Sequence, residues 1–166
     1  MRALFPILSA VILFFGCTKS PYKPDSEPPS VWHTVYMIEI VSNNTSIEAD
    51  EFGEFDDFVV IYNPQDTSVI LSGWVLSDRP DSIRYVFPAP TSLLSDSTML
   101  IWCDGQPEQG SNHAGFRISA DGEWVGLFDT EGNIVDSVSV PPLLPDSAYI
   151  RNMATLEWSI GEAIRR

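Results

Sequence analysis

Five carboxylates fall within eight positions of this chain, Asp50, Glu51, Glu54, Asp56 and Asp57, with Gly53 among them. Oxygen-only side chains on a loop that turns sharply at a glycine are the ligand chemistry of Ca²⁺, which takes about six to eight oxygens. The spacing is not that of an EF-hand loop, which needs Asp-x-[Asp/Asn]-x-[Asp/Asn]-Gly. Two readings stand side by side. One is a weak Ca²⁺ site; the other is a solvated acidic loop in which Asp56 or Asp57 accepts backbone N–H bonds.

A second polar loop, 104–115, carries Asp104, Gln109, Asn112 and His113. His113 precedes an apolar run, and a lone His supplies neither a catalytic triad nor a metal site, so it reads as a hydrogen-bonded loop residue. Asp78, Asp81, Asp96, Asp104 and Asp121 sit where the chain turns and read as turn formers. The two loops 50–57 and 104–115 are the expected contact surface.

The third reactive position is Cys17. It closes the apolar run 4–15, behind Arg2 and next to Gly16, which is the layout of a secretory signal. The run is shorter than the ~20 residues that a membrane-spanning helix needs. Phe14-Phe15-Gly16-Cys17 resembles the lipobox of bacterial lipoproteins, which implies that residues 1–16 are removed and that Cys17 carries acyl chains. Residues 17–31 then form a Pro-rich tether, extended at ~3.1 Å per residue. No Asp follows Cys17 directly. The resemblance therefore implies a lipid-anchored protein of the cell envelope, at the outer membrane.

Other chemistries are excluded by what is missing. There is no C-x-x-C, and Cys103 lies in the apolar run 99–103, where a buried thiol is inert. No serine stands in Gly-x-Ser-x-Gly, and no Gly-rich phosphate loop occurs. The formal net charge of −14 and the pI of 4.2 oppose binding to a nucleic-acid backbone.

The elements that must position these residues are short. Strand-like runs occupy 35–42, 58–62, 68–76, 85–87, 99–102, 116–119, 124–128, 134–140 and 148–151, split by Gly, Pro, Asp and Asn. Gly132-Asn133 between two apolar pairs predicts a hairpin. Phe58-Val59-Val60-Ile61-Tyr62 is apolar on both faces and predicts a central strand covered on both sides. In 134–140 the alternation is broken by Asp136. The tryptophans at 32, 74, 102, 124 and 158 are expected to fill the core. The end of the chain, 160–166, reads equally as a short helix or a frayed tail. The pattern is that of an all-β sandwich or barrel over 32–160, followed by a tail at 161–166.

Particular strings sharpen this. Glu39-Ile40, Asp50-Glu51-Phe52-Gly53-Glu54-Phe55-Asp56-Asp57-Phe58-Val59 and Ile61-Tyr62-Asn63-Pro64 resemble the opening of the lamin tail domain family as it occurs in bacteria. Ser72-Gly73-Trp74-Val75-Leu76, the 99–105 run ending in Asp-Gly, His113-Ala114-Gly115-Phe116 and the 122–136 segment are similar to its later signatures, so that the resemblance runs over about 36–151. The chain departs from the family's pattern at Ile38, where the family carries Asn, and at Val60, where it carries Glu. The resemblance implies an immunoglobulin-like β-sandwich and a non-catalytic binding or structural module that meets a protein or other envelope partner. The alternative is a metal-dependent, Ca²⁺-binding hydrolase or an accessory domain of a secreted enzyme system.

Overall fold

A computed structural model describes residues 35–164. Cys17, the signal segment, the tether, Trp32 and His33 lie outside the described residues. Eleven strands and no helix are present among them: β1 (Tyr36–Val41), β2 (Asp57–Asn63), β3 (Val69–Ile70), β4 (Val75–Ser77), β5 (Tyr85–Val86), β6 (Ser92–Leu93), β7 (Ser97–Cys103), β8 (Glu123–Phe128), β9 (Ile134–Val140), β10 (Ser147–Arg151) and β11 (Trp158–Glu162). All strand pairings are antiparallel. One sheet has the order β11-β10-β1-β2-β7, the other β5-β4-β8-β9, and β3-β6 forms a small pair. The fold is an immunoglobulin-like sandwich.

β2 is central, and its apolar run explains why. Val59 and Ile61 enter the main core with Ile40, Leu76, Ile101, Val125 and Leu127. Phe58 and Val60 enter a second cluster on the opposite face of the same sheet, with Val41, Trp102 and Ala148. All four β2 residues are 0 % exposed. Burying each such side chain contributes about 1.5–3 kcal/mol, so a strand apolar on both faces is stable only between two layers. The β8–β9 hairpin forms as its turn residues dictate: Asp129 Oδ1 accepts from the N–H groups of Glu131 and Asn133, and Gly132 takes the positive φ of 84°.

Several expectations are corrected. The run 68–76 is not one strand: it turns at Ser72-Gly73, with Gly73 at φ 83°, and its halves join different sheets. The run 116–119 forms no strand, only an isolated bridge between Arg117 and Asp104. β6 and β11 lie outside the strand-like runs, and β11, in place of a short helix or a frayed tail, pairs with β10 as far as Glu162. Among the described residues the tryptophans fill the core only in part. Trp102 lies in the outer cluster against Phe58, with ring centroids 5.6 Å apart, and Trp74 and Trp158 are only partly buried at the core margin. Trp124 lies across Gly126, where its ring leaves no room for a Cβ. The core is mainly aliphatic, with Tyr85, Phe87 and Phe116 as its rings.

Asp136, the break in the β9 alternation, points inward and is 3 % exposed. Its Oδ2 accepts from Met37 N at 2.8 Å and from Arg151 Nη1 at 2.8 Å, and its Oδ1 accepts from Arg151 Nη2 at 3.0 Å. The Arg151 guanidinium in turn lies over the rings of Tyr36 and Trp158, 5.3 and 4.7 Å from their centroids. One carboxylate thus ties β9 in the second sheet to β1 and β10 in the first.

Candidate functional site

The two polar loops meet at one end of the sandwich because β2 and β7 are paired in register. Asp57 opposes Cys103, so the residues just beyond the strand ends, Asp56 and Asp104, come together. After β7 the chain reverses at Asp104-Gly105, with Gly105 at φ 76° and its N–H bonded to Ala114 O at 3.0 Å. A later part of this loop returns to the free edge of β7 and pairs there parallel to it, in an isolated bridge between Trp102 and His113: Trp102 N donates to Asn112 O at 2.8 Å and Ala114 N to Trp102 O at 2.7 Å. That bridge pairs the β7 edge at Trp102, and it carries His113 into the interior.

The loop before β2 is held by its own side chains. Asn44 Nδ2 donates to Glu48 O at 2.7 Å and Asp56 O at 2.8 Å. Asp50 Oδ1 accepts from the N–H groups of Phe52 at 2.9 Å and Glu54 at 2.8 Å, closing a tight turn over Gly53 at φ 81°. The loops are then cross-linked. Glu54 Oε2 accepts from Gln106 Nε2 at 3.1 Å and Gln109 Nε2 at 2.8 Å. His113 is 1 % exposed; its Nδ1 meets Asp104 Oδ2, and its Nε2 lies 3.3 Å from Glu51 Oε1.

The electrostatics follow from this crowding. Burial raises the Asp56 pKa, and the neighbouring Asp104, Glu54 and Asp50 carboxylates raise it further, against the pull of Arg117. Burial lowers the pKa of His113, but its bonds to Asp104 and Glu51 outweigh that, and the imidazole pKa is raised. Arg117 donates its Nε to the backbone oxygen of Asp104 at 2.7 Å. Three acceptor oxygens in the cluster are buried and have no hydrogen-bond partner: Asp50 Oδ2, Asp56 Oδ2 and Gln109 Oε1.

The expected residues do not all converge. Asp50, Glu54 and Asp56 place ligand atoms within 4.8 Å of one another, and so do Asp50, Asp104 and His113. Asp57 leaves the cluster: as the first residue of β2 it turns its Oδ2 to Ile118 N, at 3.1 Å, and burial pushes its pKa up to about 6. Glu51 is exposed and serves His113. Asn112 is exposed and takes part through its backbone oxygen. Asp104 is more than a turn former, because besides accepting from Gln106 N at 2.8 Å it binds His113. Arg117, Phe52 and Phe55 had no role in the sequence reading. The signal for the last two was there, as two aromatic residues in an otherwise acidic loop; they are 56 % and 46 % exposed.

The arrangement does not complete a nucleophile relay. Asp104 and His113 form the acid–imidazole half of one, but the group at Nε2 is the Glu51 carboxylate, which has no proton to give up and attack with. Cys103 Sγ points to Ile101 O at 3.9 Å, and burial pushes its pKa well up.

Among curated proteins none matches the chain. A family model described as Lamin Tail Domain matches residues 29–141, which include β1 to β9 and both loops of the site. That family is one of non-catalytic, immunoglobulin-like domains. With most of its length matched and the sandwich in place, the chain belongs to the lamin tail domain family.

Proposed function

We propose that this protein is a lipid-anchored binding module of the cell envelope, non-catalytic, held at the outer membrane by acyl chains on Cys17. The Pro-rich tether spaces the sandwich from the bilayer, and the end of the sandwich built from loops 50–57 and 104–115 meets a protein or other envelope partner. The observation that carries this reading is the pair Phe52 and Phe55, exposed on a turn that Asp50 fixes from within. Large apolar rings at the tip of an ordered loop are anchors for a partner's pocket, because they bury much area at small conformational cost. The carboxylates around them suit a partner with cationic groups, and the acidic chain as a whole repels nucleic acid.

Two experiments test it. Replacing Cys17 with Ser moves the protein from the membrane to the soluble fraction; unchanged retention contradicts the anchor. A photo-crosslinking residue at position 55 gives a discrete adduct in intact cells, and the same residue at Glu131, in the hairpin at the opposite end of β8 from Glu123, does not. Equal labelling from both positions, or none from either, contradicts the contact surface.

A further inference from the structure

We infer that Asp50, Glu54 and Asp56 hold one divalent cation of the hard, oxygen-seeking kind, Ca²⁺ being the ion that fits, with the Gln109 amide oxygen as an additional ligand. Surface acids commonly cluster without binding anything, and proximity alone decides nothing. What distinguishes this cluster is a set of buried acceptors with no donor. Asp50 is 9 % exposed; its Oδ1 is satisfied by the N–H groups of Phe52 and Glu54, while its Oδ2 has no partner. Asp56 Oδ2 and Gln109 Oε1 are in the same state. Folded proteins seldom leave such atoms unmatched, and three in one loop cluster point to a ligand that accepts electron pairs.

Among the described residues, the cations beside the cluster do not fill that role. His113 contacts Asp104 and Glu51, and Arg117 donates to the Asp104 backbone oxygen. Neither hydrogen-bonds the three open oxygens. The Gln109 amide is also oriented: its Nε2 donates to Glu54 Oε2 and, at 3.2 Å, to Gln106 Oε1, which leaves the oxygen end for another contact.

The choice of ion follows from the donors. The open atoms are two carboxylate oxygens and one amide oxygen, the set Ca²⁺ takes, and Ca²⁺ completes its shell with water. The overlapping group of Asp50, Asp104 and His113 would suit zinc, but the His113 Nδ1 is engaged by Asp104, and its Nε2, which has no hydrogen-bond partner, lies 3.3 Å from Glu51 Oε1, so zinc is the competing outcome that the titration decides. Asp57 is outside the site despite standing next to Asp56 in sequence. The site does not depend on whether Cys17 is acylated, so it stands or falls apart from the envelope reading.

Calorimetric titration of the full chain in detergent, stripped with EDTA, tests this directly. The expected result is one Ca²⁺ per chain, with affinity weakened at least about tenfold in Asp56→Asn and in Gln109→Met and held within about twofold in Asp57→Asn. An unfolding transition in EDTA establishes that each variant is folded, and Gln109→Met keeps the test decisive should Asp56→Asn fail to fold. No uptake at millimolar Ca²⁺, equal uptake by wild type and both variants, or binding of Zn²⁺ in place of Ca²⁺ would each overturn the proposal.

Discussion

Asp136 and Asp50 are both carried into the protein, at 3 % and 9 % exposure, yet their surroundings differ in kind. Asp136 is answered within the fold: two nitrogens of Arg151 and the Met37 N–H reach its two oxygens. Asp50 is answered on one oxygen only, and the carboxylates around it, Asp56, Glu54 and Asp104, outnumber the cationic groups beside them, Arg117 and His113. An acid that serves architecture arrives with its own cation, because burying an unpaired charge costs several kcal/mol. An acid cluster left short of positive charge is arranged for something from outside.

The largest effect expected from this contrast is at the first region. Arg151→Met leaves Asp136 buried without its cation and is expected to destabilise the domain by roughly 3–5 kcal/mol, read from urea unfolding. A loss below about 1 kcal/mol would show that the ion pair is not what joins the sheets.

At the second region the sign reverses. Asp56 is held in a crowd of like charges that raises its pKa. Removing its charge with Asp56→Asn is therefore expected to raise the unfolding midpoint in EDTA, by at most about 1 kcal/mol after solvent screening. Destabilisation by Asp56→Asn would mean that the cluster is internally balanced after all.

A third acid sharpens the comparison from the surface, with the smallest effect. Asp146 receives bonds from the N–H and hydroxyl groups of both Thr45 and Ser46, at 2.6 to 2.9 Å, and these hold its pKa down at about 2, from an ordinary 3.8. A lowered carboxyl pKa gives stability that is present above the unfolded value and lost as pH falls through the folded one. Wild type is therefore expected to lose stability between about pH 4 and pH 2, the interval those two values bound. Asp146→Asn should lose less over that interval, as acid titration of the unfolding midpoint would show; identical acid profiles would remove Asp146 as a determinant.

The contrast also explains what could be read in the chain beforehand. The all-β sandwich, the central β2 and the β8–β9 hairpin are written locally, in a run apolar on both faces and in turn residues. The acidic cluster was visible as composition, but its membership was not. Asp57 stands next to Asp56 yet begins a strand, and alternation turns it to Ile118. Asp104 enters from far along the chain because β2 and β7 align Asp57 with Cys103, a pairing that no local pattern encodes. Asp136 looked like a flaw in β9 because its partner, Arg151, belongs to the other sheet. β11 was missed because Gly161 and Glu162 weaken the strand preference of Trp158 and Ile160, and the segment is ordered by its register with β10.

The most direct test of the central claim is the Ca²⁺-dependent rise of the unfolding midpoint, compared among wild type, Arg151→Met and Asp56→Asn. An ion that binds only the folded chain stabilises it by about 2.7 kcal/mol at a hundredfold excess over Kd. The expected result is that Arg151→Met starts lower than wild type but gains as much from Ca²⁺, while Asp56→Asn starts higher and gains far less. Equal gains in all three proteins, or none in wild type, would contradict the view that one region is balanced from within and the other by a bound cation.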